Sequence, residues 1–199
     1  MSEPSRFPRF EKTANPEDSD GKGRLTGDDL TIKNSVFVEL SVVKEIYVQG
    51  NDGVFENNVV NLAGVSSINF QKAEGGRIEG NIINGISDGS RGIMVTSKNG
   101  VGVIGNVVND MGQQGIQIAK SDGVVVRDNM VTNAGRADLD GAFTIQAESI
   151  TNLAVTNNTL EDSFVGVDIE GGNDSAVSST VFTGNTLEGN EIGIFVEGG

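Results

Sequence analysis

Three lysines follow short alternating apolar segments of the chain: Lys72, Lys98 and Lys120. A lysine crowded by a second cation has a lowered pKa and can then act as a general base. We expect the three to lie on successive coils of a repeating fold, about 5 Å apart per coil. Lys98 lies between the other two and is the best-placed candidate base. The alternative is that all three are ordinary surface charges.

Carboxylates in the last third of the chain are candidate ligands of a cation. Glu148, Asp168 and Glu170 could converge on Ca²⁺, because hard cations bind several oxygen ligands. The chain has no Cys and no His, which excludes disulfides, thiolate metal sites and imidazole catalysis. Calcium is therefore the one cofactor that we predict, with three unrelated surface carboxylates as the alternative.

The elements that would position these groups are short strands in a repeat. Each repeat has an opening alternating strand, a polar turn, a second apolar run, an Asn and one more apolar pair, with no segment long enough for a helix. This pattern predicts an all-β, single-stranded parallel β-solenoid. The Asn recurs at intervals of 23, 25, 23, 29 and 27 residues, at Asn58, Asn81, Asn106, Asn129, Asn158 and Asn185.

An inward-pointing Asn in stacked coils can bond both to the turn backbone and to the Asn of the next coil. We therefore predict an internal asparagine ladder, and the alternative is that these residues only populate exposed turns. In the first coil either Asn34 or Ser35 occupies the equivalent position. About seven coils are expected, with Ile194 opening one more strand, over residues 25–45, 46–67, 68–92, 93–115, 116–142, 143–166 and 167–193.

Two domains of unequal size follow from this reading. Residues 1–24 hold all three prolines and are mostly polar, so we expect an N-terminal arm or cap, with Phe7 and Phe10 as candidates to cover the first coil. Residues 25–199 form the β-helix. The last coil has no polar cap after it, so we expect self-association or a continued chain there.

Strand alternation predicts a polar row on the solvent side of the opening strands. Amide and hydroxyl groups in such a row suit sugar hydroxyls, and the lysines at its rim suit sugar carboxylates. The alternative is a solvated polar strand face, which any β-helix must have. The predicted binding residues are Tyr47, Gln49, Asn69, Gln71, Thr96, Gln117, Thr144 and Gln146.

Charge is distributed unevenly. The net charge is −14, and residues 137–199 hold 11 acidic groups and no Lys or Arg. Nucleic acid is therefore not an expected partner, because phosphate binding needs a basic face. The acidic third either keeps the protein soluble or binds cations. No apolar run approaches 18 residues, so no membrane span is expected.

The frame Gly-Ile-x-Ile-x-x-Ser/Asn followed by Val-x-x-Asn-x-Val resembles the right-handed parallel β-helix repeat of the pectate-lyase-like superfamily, over about residues 30–199. The resemblance implies a right-handed β-helix that binds, cleaves or epimerises acidic polysaccharides in a groove over the first strand of each coil. It also implies a secreted or cell-surface protein, although the N-terminus has no apolar signal core. The Asp-Pro-His-Glu, Gly-His-Gly and Arg-His-Gly signatures of particular members do not occur.

Two classes of function are therefore expected. The first is a polysaccharide-interacting β-helix, including a lyase that removes the C5 proton of a uronate by β-elimination, with Lys98 as base, Lys72 and Lys120 beside it and calcium as neutraliser. The second is a non-catalytic structural or adhesive solenoid, a module of a larger surface or phage protein. Fold alone does not choose between them.

Overall fold

The computed structural model describes residues 23–37, 45–62, 67–85, 88–97, 99–136, 141–146, 150–170 and 177–197. All regular elements in these ranges are β-strands. The strands form three long parallel sheets, and each sheet takes one strand from every coil. The all-β parallel solenoid predicted from the repeat is confirmed.

Sheet 1 holds the opening strand of each coil, and it has eight strands. They are Gly23–Thr26, Glu45–Gln49, Ser67–Gln71, Ile93–Thr96, Ile116–Ala119, Gly141–Gln146, Val165–Glu170 and Ile192–Glu197.

Sheets 2 and 3 have seven strands each. The strands of sheet 2 are Thr31–Lys33, Val54–Glu56, Arg77–Glu79, Gly102–Ile104, Val125–Arg127, Ala154–Thr156 and Val181–Thr183. Those of sheet 3 are Val36–Phe37, Val59–Leu62, Ile82–Gly85, Val107–Asn109, Met130–Thr132, Thr159–Glu161 and Thr186–Glu188. A short pair, Ile150–Thr151 and Val177–Ser178, lies between sheets 1 and 2.

The core consists of columns of equivalent side chains, because parallel coils in register place like positions over one another. On sheet 2 the inward column begins at Ile32 and continues through Phe55 and Ile78 to Val155, and each of these residues is essentially inaccessible to solvent. Each such side chain contributes about 1.5–3 kcal/mol by leaving water. No coil could bury these groups alone, so stability comes from stacking.

The asparagine ladder is confirmed over the six predicted residues. At each step the Nδ2 group donates to the Oδ1 of the next Asn, for example Asn81 to Asn106 at 2.9 Å and Asn106 to Asn129 at 2.9 Å. The same Nδ2 donates to a carbonyl of the preceding coil, as Asn106 does to Ile78 at 2.9 Å. The first position belongs to Ser35, whose N–H donates to Asn58 Oδ1 at 3.0 Å, whereas Asn34 has a φ of 53° and forms the turn.

The residue before each ladder position adopts the left-handed conformation, which bends the chain from sheet 2 into sheet 3. Asn and Asp tolerate this conformation and Gly adopts it freely, which explains the residue types found there. Gly80 is required for a second reason, since a Cβ on it would lie 2.5 Å from Asn57 Oδ1 of the neighbouring coil. The seven residues are Asn34, Asn57, Gly80, Gly105, Asp128, Asn157 and Gly184.

The two ends of the described stack differ. Ile32 in the first coil is 1% exposed, whereas Ile194, an inward position of the last strand, is 62% exposed. The predicted association at the last coil stays a prediction, and residues 1–22 of the predicted arm lie outside the described residues. Among the described residues there is no helix long and apolar enough to cross a membrane.

Candidate functional site

Two outward columns run along sheet 1, as the alternation of the strands predicted. The first, column one, brings together four predicted binding residues and one predicted metal ligand from six successive strands. Its register is continuous from pair to pair. Column one consists of Tyr47, Asn69, Met94, Gln117, Thr144 and Asp168.

Column one is buried, which the alternation did not predict. Tyr47, Asn69, Gln117, Thr144 and Asp168 are only 0–6% exposed. The pleat fixes the direction of a side chain and not its exposure, which depends on what else packs on the face. At Thr144 part of the cover is backbone, because a Cβ on Gly141 would lie 3.0 Å from Thr144 Oγ1 and 2.9 Å from Asp168 Cβ. The expectation that these side chains face solvent is wrong.

The second outward column, column two, is more accessible. Gln49, Gln71 and Thr96 are half-buried, and they continue the strands one pleat beyond column one. Ala119 and Gln146 follow in register. The side chain of Gln146 lies outside the described residues, so its predicted role stays a prediction. Column two thus presents a short row of amides and a hydroxyl over three coils.

Lysines lie at the rim of column two, at the turn where sheet 1 ends. Lys72 and Lys120 are exposed, and both adopt left-handed backbone, with φ of 57° and 47°. Thr96 pairs with Gln71, so the next residue, Ser97, occupies the register of Lys72 and Lys120 in the intervening coil. The predicted place of Lys98 beside Lys72 and Lys120 stays a prediction. Lys98 itself lies outside the described residues.

The lysine conformation is unusual for its residue type. The described chain has 13 non-glycine residues with positive φ, and ten of them are Asn or Asp; the others are Lys72, Lys120 and Ser179. A residue without a short polar side chain loses about 1 kcal/mol in this conformation. Local geometry therefore does not explain a lysine here, and such outliers concentrate at functional sites.

The base chemistry predicted for these lysines depends on crowding. Lys72 and Lys120 are two coils apart, which corresponds to about 10 Å. At that separation in solvent, two ammonium groups repel each other by only about 0.4 kcal/mol. Lys72 and Lys120 therefore do not crowd each other, and the predicted role of Lys98 as base stays a prediction.

The predicted calcium ligands do not form a described cluster. Asp168 is buried in column one, the side chain of Glu170 lies outside the described residues, and so does Glu148. Within the described ranges no group of three or more Asp and Glu residues could hold a metal ion. One carboxylate does not make a site for a cation that needs several oxygens. The predicted calcium site stays a prediction.

Sequence reasoning missed several polar contacts. Ser121 Oγ accepts from Ser97 N–H at 3.0 Å and donates to Ala119 O at 2.7 Å, which closes the turn behind the lysines. Ser97 could have been found by counting four residues from each opening Ile. In a second internal ladder Ala134 N–H donates to Ser163 Oγ at 3.1 Å, and Ser163 N–H donates to Asn190 Oδ1 at 3.0 Å.

Two further features lie away from the predicted site. Hydrogen bonds from Thr151 and Asn152 lower the pKa of Asp122, at the turn between sheets 1 and 2. A cavity of about 340 Å³ lies among the turns that lead from sheet 3 to sheet 1. Its lining includes Arg136, Asp162 and Glu191, and none of the predicted site residues.

The family comparison agrees with this geometry. Residues 23–182 match the model of the right handed beta helix region. The chain belongs to the right-handed β-helix family. The predicted hand of the helix is thereby confirmed, while membership of the pectate-lyase-like superfamily stays a prediction. No curated protein and no solved structure matches the chain.

Membership of the β-helix family supports a polysaccharide-related or structural solenoid in general, and it names no reaction. The lyase activity, the carbohydrate ligand and the secreted location of this β-helix stay predictions. Its functional residues must be argued from the face of sheet 1 itself.

Proposed function

We propose that this β-helix binds an acidic polysaccharide along column two, with Lys72 and Lys120 pairing with sugar carboxylates. The observation that carries the proposal is the pair of exposed lysines in left-handed backbone, two coils apart at the same turn. Gln49, Gln71 and Thr96 would hydrogen-bond sugar hydroxyls beside them. A chain of sugars running along the stack would meet one lysine in every second coil.

The overall charge of −14 limits where such a ligand can bind. Residues 137–199 hold no Lys or Arg, so a polyanion would be repelled from the last coils. Binding would then be confined to the coils between Gln49 and Lys120. Because the contacts are exposed ion pairs, we expect binding to weaken as salt is added.

The test is affinity electrophoresis through gels containing alginate, pectate or chondroitin. Replacing one rim lysine should weaken binding up to about fivefold, since an exposed ion pair contributes at most about 1 kcal/mol. The variants are Lys72→Ala and Lys120→Ala, and the matched control is Lys33→Ala, an exposed lysine on sheet 2. Equal effects of all three substitutions would show that only net charge matters and would refute the assignment.

Lyase chemistry is the finer form of the proposal. An unsaturated uronide absorbs in the ultraviolet, so β-elimination can be followed directly, with and without calcium. The proposed roles require that Lys98→Ala and Lys120→Ala abolish product formation in protein that still binds the polymer. Activity that survives both substitutions would remove lysine as the base.

A structural solenoid is the second candidate, and one surface favours it. The outer face of sheet 3 carries a column of aliphatic side chains in register, Val36, Val59, Ile82, Val107 and Met130. Val36, Ile82 and Met130 are 67%, 44% and 40% exposed. A row of exposed aliphatic side chains on one sheet face often marks an interaction surface. Binding to no polysaccharide, together with loss of self-association in Ile82→Lys, would support this class instead.

A further inference from the structure

The cavity among the turns that lead from sheet 3 to sheet 1 has no part in the proposed polysaccharide contacts. It spans the turns of three successive coils, and its volume of about 340 Å³ lies in the range of small-molecule sites. Gly135 and Gly189 lie in its lining and, having no side chains, leave room between the walls. The side chains that form the walls are Asn133, Arg136, Asp162, Ser163, Phe164 and Glu191.

Two carboxylates from neighbouring coils enter this cavity. Asp162 and Glu191 are both exposed, and their coils are one strand spacing, about 4.8 Å, apart. The Oδ1 atom of Asp162 rests on the backbone of Gly189, which has a φ of 67°, and a Cβ on that glycine would collide with it. The backbone of the next coil therefore helps to fix the carboxylate of Asp162 at the cavity, and both acids can reach one bound group there.

The charge of the cavity is negative. Among the described residues the ion pairs are those of Arg77 and Arg127, both on sheet 2, and none involves Asp162 or Glu191. Arg136 is the one basic residue of the lining, and its guanidinium reaches back to the preceding coil, where it donates to Asp110 O at 2.8 Å. Residues 137–199 add 11 acidic groups and no Lys or Arg. The local potential therefore attracts a cation.

The chemistry of the lining favours an organic cation over a metal ion. Within the described ranges no group of three or more Asp and Glu residues could hold a metal, and hard metal ions need several oxygen ligands. Phe164, which is half-buried, adds an aromatic ring to the same lining. An aromatic face attracts organic cations, and a primary ammonium group has three donors for charge-assisted bonds to carboxylates.

We propose that this cavity binds a small primary amine with an apolar body. The carboxylates of Asp162 and Glu191 accept hydrogen bonds from the ammonium group, and the ring of Phe164 packs against the body of the ligand. This site is separate from the proposed polysaccharide face in position and in sign, since that face uses Lys72 and Lys120. Its test therefore succeeds or fails independently of the proposed function.

The test is an NMR titration of the full chain with benzylamine, followed through the backbone amide signals at constant pH and ionic strength. Benzylamine is a primary amine with a flat apolar body, and benzyl alcohol is the matched neutral compound. We expect benzylamine to shift the amide signals of Ser163, Phe164 and Glu191, and benzyl alcohol to leave them in place. Because the contacts are exposed ion pairs, added salt should weaken the binding of benzylamine.

Substitutions in the lining assign the contacts. Asp162→Asn and Glu191→Gln should each raise the Kd of benzylamine up to about fivefold, the effect of one exposed ion pair. Phe164→Leu keeps an apolar side chain but removes the ring, and should raise the Kd about threefold. The matched control is Glu188→Gln, which removes one exposed charge on sheet 3, directly before Gly189 and outside the lining. Since solvent screens such a charge, the control should change the Kd less than about twofold.

Three results would overturn the proposal. Amide signals of the lining that do not move with benzylamine would show that the cavity is no amine site. Benzyl alcohol that binds as tightly as benzylamine would show an apolar depression without recognition of the ammonium group. Equal weakening by Glu188→Gln and Glu191→Gln would show that only the net charge of the last coils attracts the amine. The amide spectrum of each variant shows in the same experiment that the coils remain folded.

Discussion

Removal of one ladder side chain, Asn106→Ala, tests the physical basis of the coil stack. Asn106 is fully buried and its side chain makes four hydrogen bonds: it donates to Ile78 O and Asn129 Oδ1, and it accepts from the N–H and the Nδ2 of Asn81. Alanine leaves each of these partners one bond short in a site that water does not reach. At about 1 kcal/mol per bond, the loss in the free energy of unfolding is about 4 kcal/mol.

That loss is large against the stability of an ordinary domain, about 5–15 kcal/mol. Asn109→Ala is the matched control, because Asn109 lies in the same coil on the outer face of sheet 3, half-buried, with a bond from its Nδ2 to Asn84 Oδ1 at 3.1 Å. Its replacement should cost about 1 kcal/mol or less.

Urea unfolding followed by far-UV circular dichroism measures both variants. Repeat stacks can unfold in parts, so the slope of the transition is compared along with its midpoint. A cost for Asn106→Ala no greater than that for Asn109→Ala would refute the claim that the internal amides hold the coils together.

Two further predictions concern the packing around a glycine beside sheet 1 and the titration of Asp122. Gly115→Ala places a Cβ 2.4 Å from Val131 Cγ1 and should lower the melting temperature by several degrees. Gly193 is at the equivalent position of the last coil and has open space around it, so Gly193→Ala should leave the melting temperature unchanged. Equal effects of the two substitutions would contradict the packing argument. Hydrogen bonds lower the pKa of Asp122, so the stability that they contribute is present above the ordinary carboxyl pKa and is lost as the pH falls through the lowered value. Thr151→Val should therefore raise the pKa of Asp122 in an NMR titration. An unchanged pKa would contradict the assigned cause.

The interior of this β-helix could be predicted from sequence because stacking imposes a strict requirement on it. A buried Asn needs partners for two donors and an acceptor, and only an equivalent Asn in every coil supplies them, so the recurrence of Asn58 to Asn185 identified the ladder. The choice between Asn34 and Ser35 could not be made from pattern. It depends on which of the two adopts left-handed backbone, and both residue types tolerate the turn.

The outer face was harder to predict because two different causes act on it. Alternation correctly assigned Gln117 and Thr144 to the outer side of sheet 1. It does not predict their burial, which depends on what packs over that side, such as the backbone at Gly141 close to Thr144. Lys98 follows Ser97 directly and lies outside the described residues, so its predicted place at the rim stays a prediction. The predicted calcium ligands Glu148 and Glu170 stay predictions, because Glu148 and the side chain of Glu170 lie outside the described residues.

A β-helix separates the residues that make the fold from those that can evolve a function. Every inward position is repeated and coupled to its neighbours in adjacent coils, so a substitution there is felt through several contacts. The rim turn after sheet 1 has no such constraint: Lys72 and Lys120 share their register with Ser97, so this turn accepts two unrelated side chains. A lysine that persists in an unfavourable conformation at a turn that accepts serine is not needed for stability. That reasoning makes the rim lysines, rather than the more regular amides beside them, the first residues to replace in a search for the ligand.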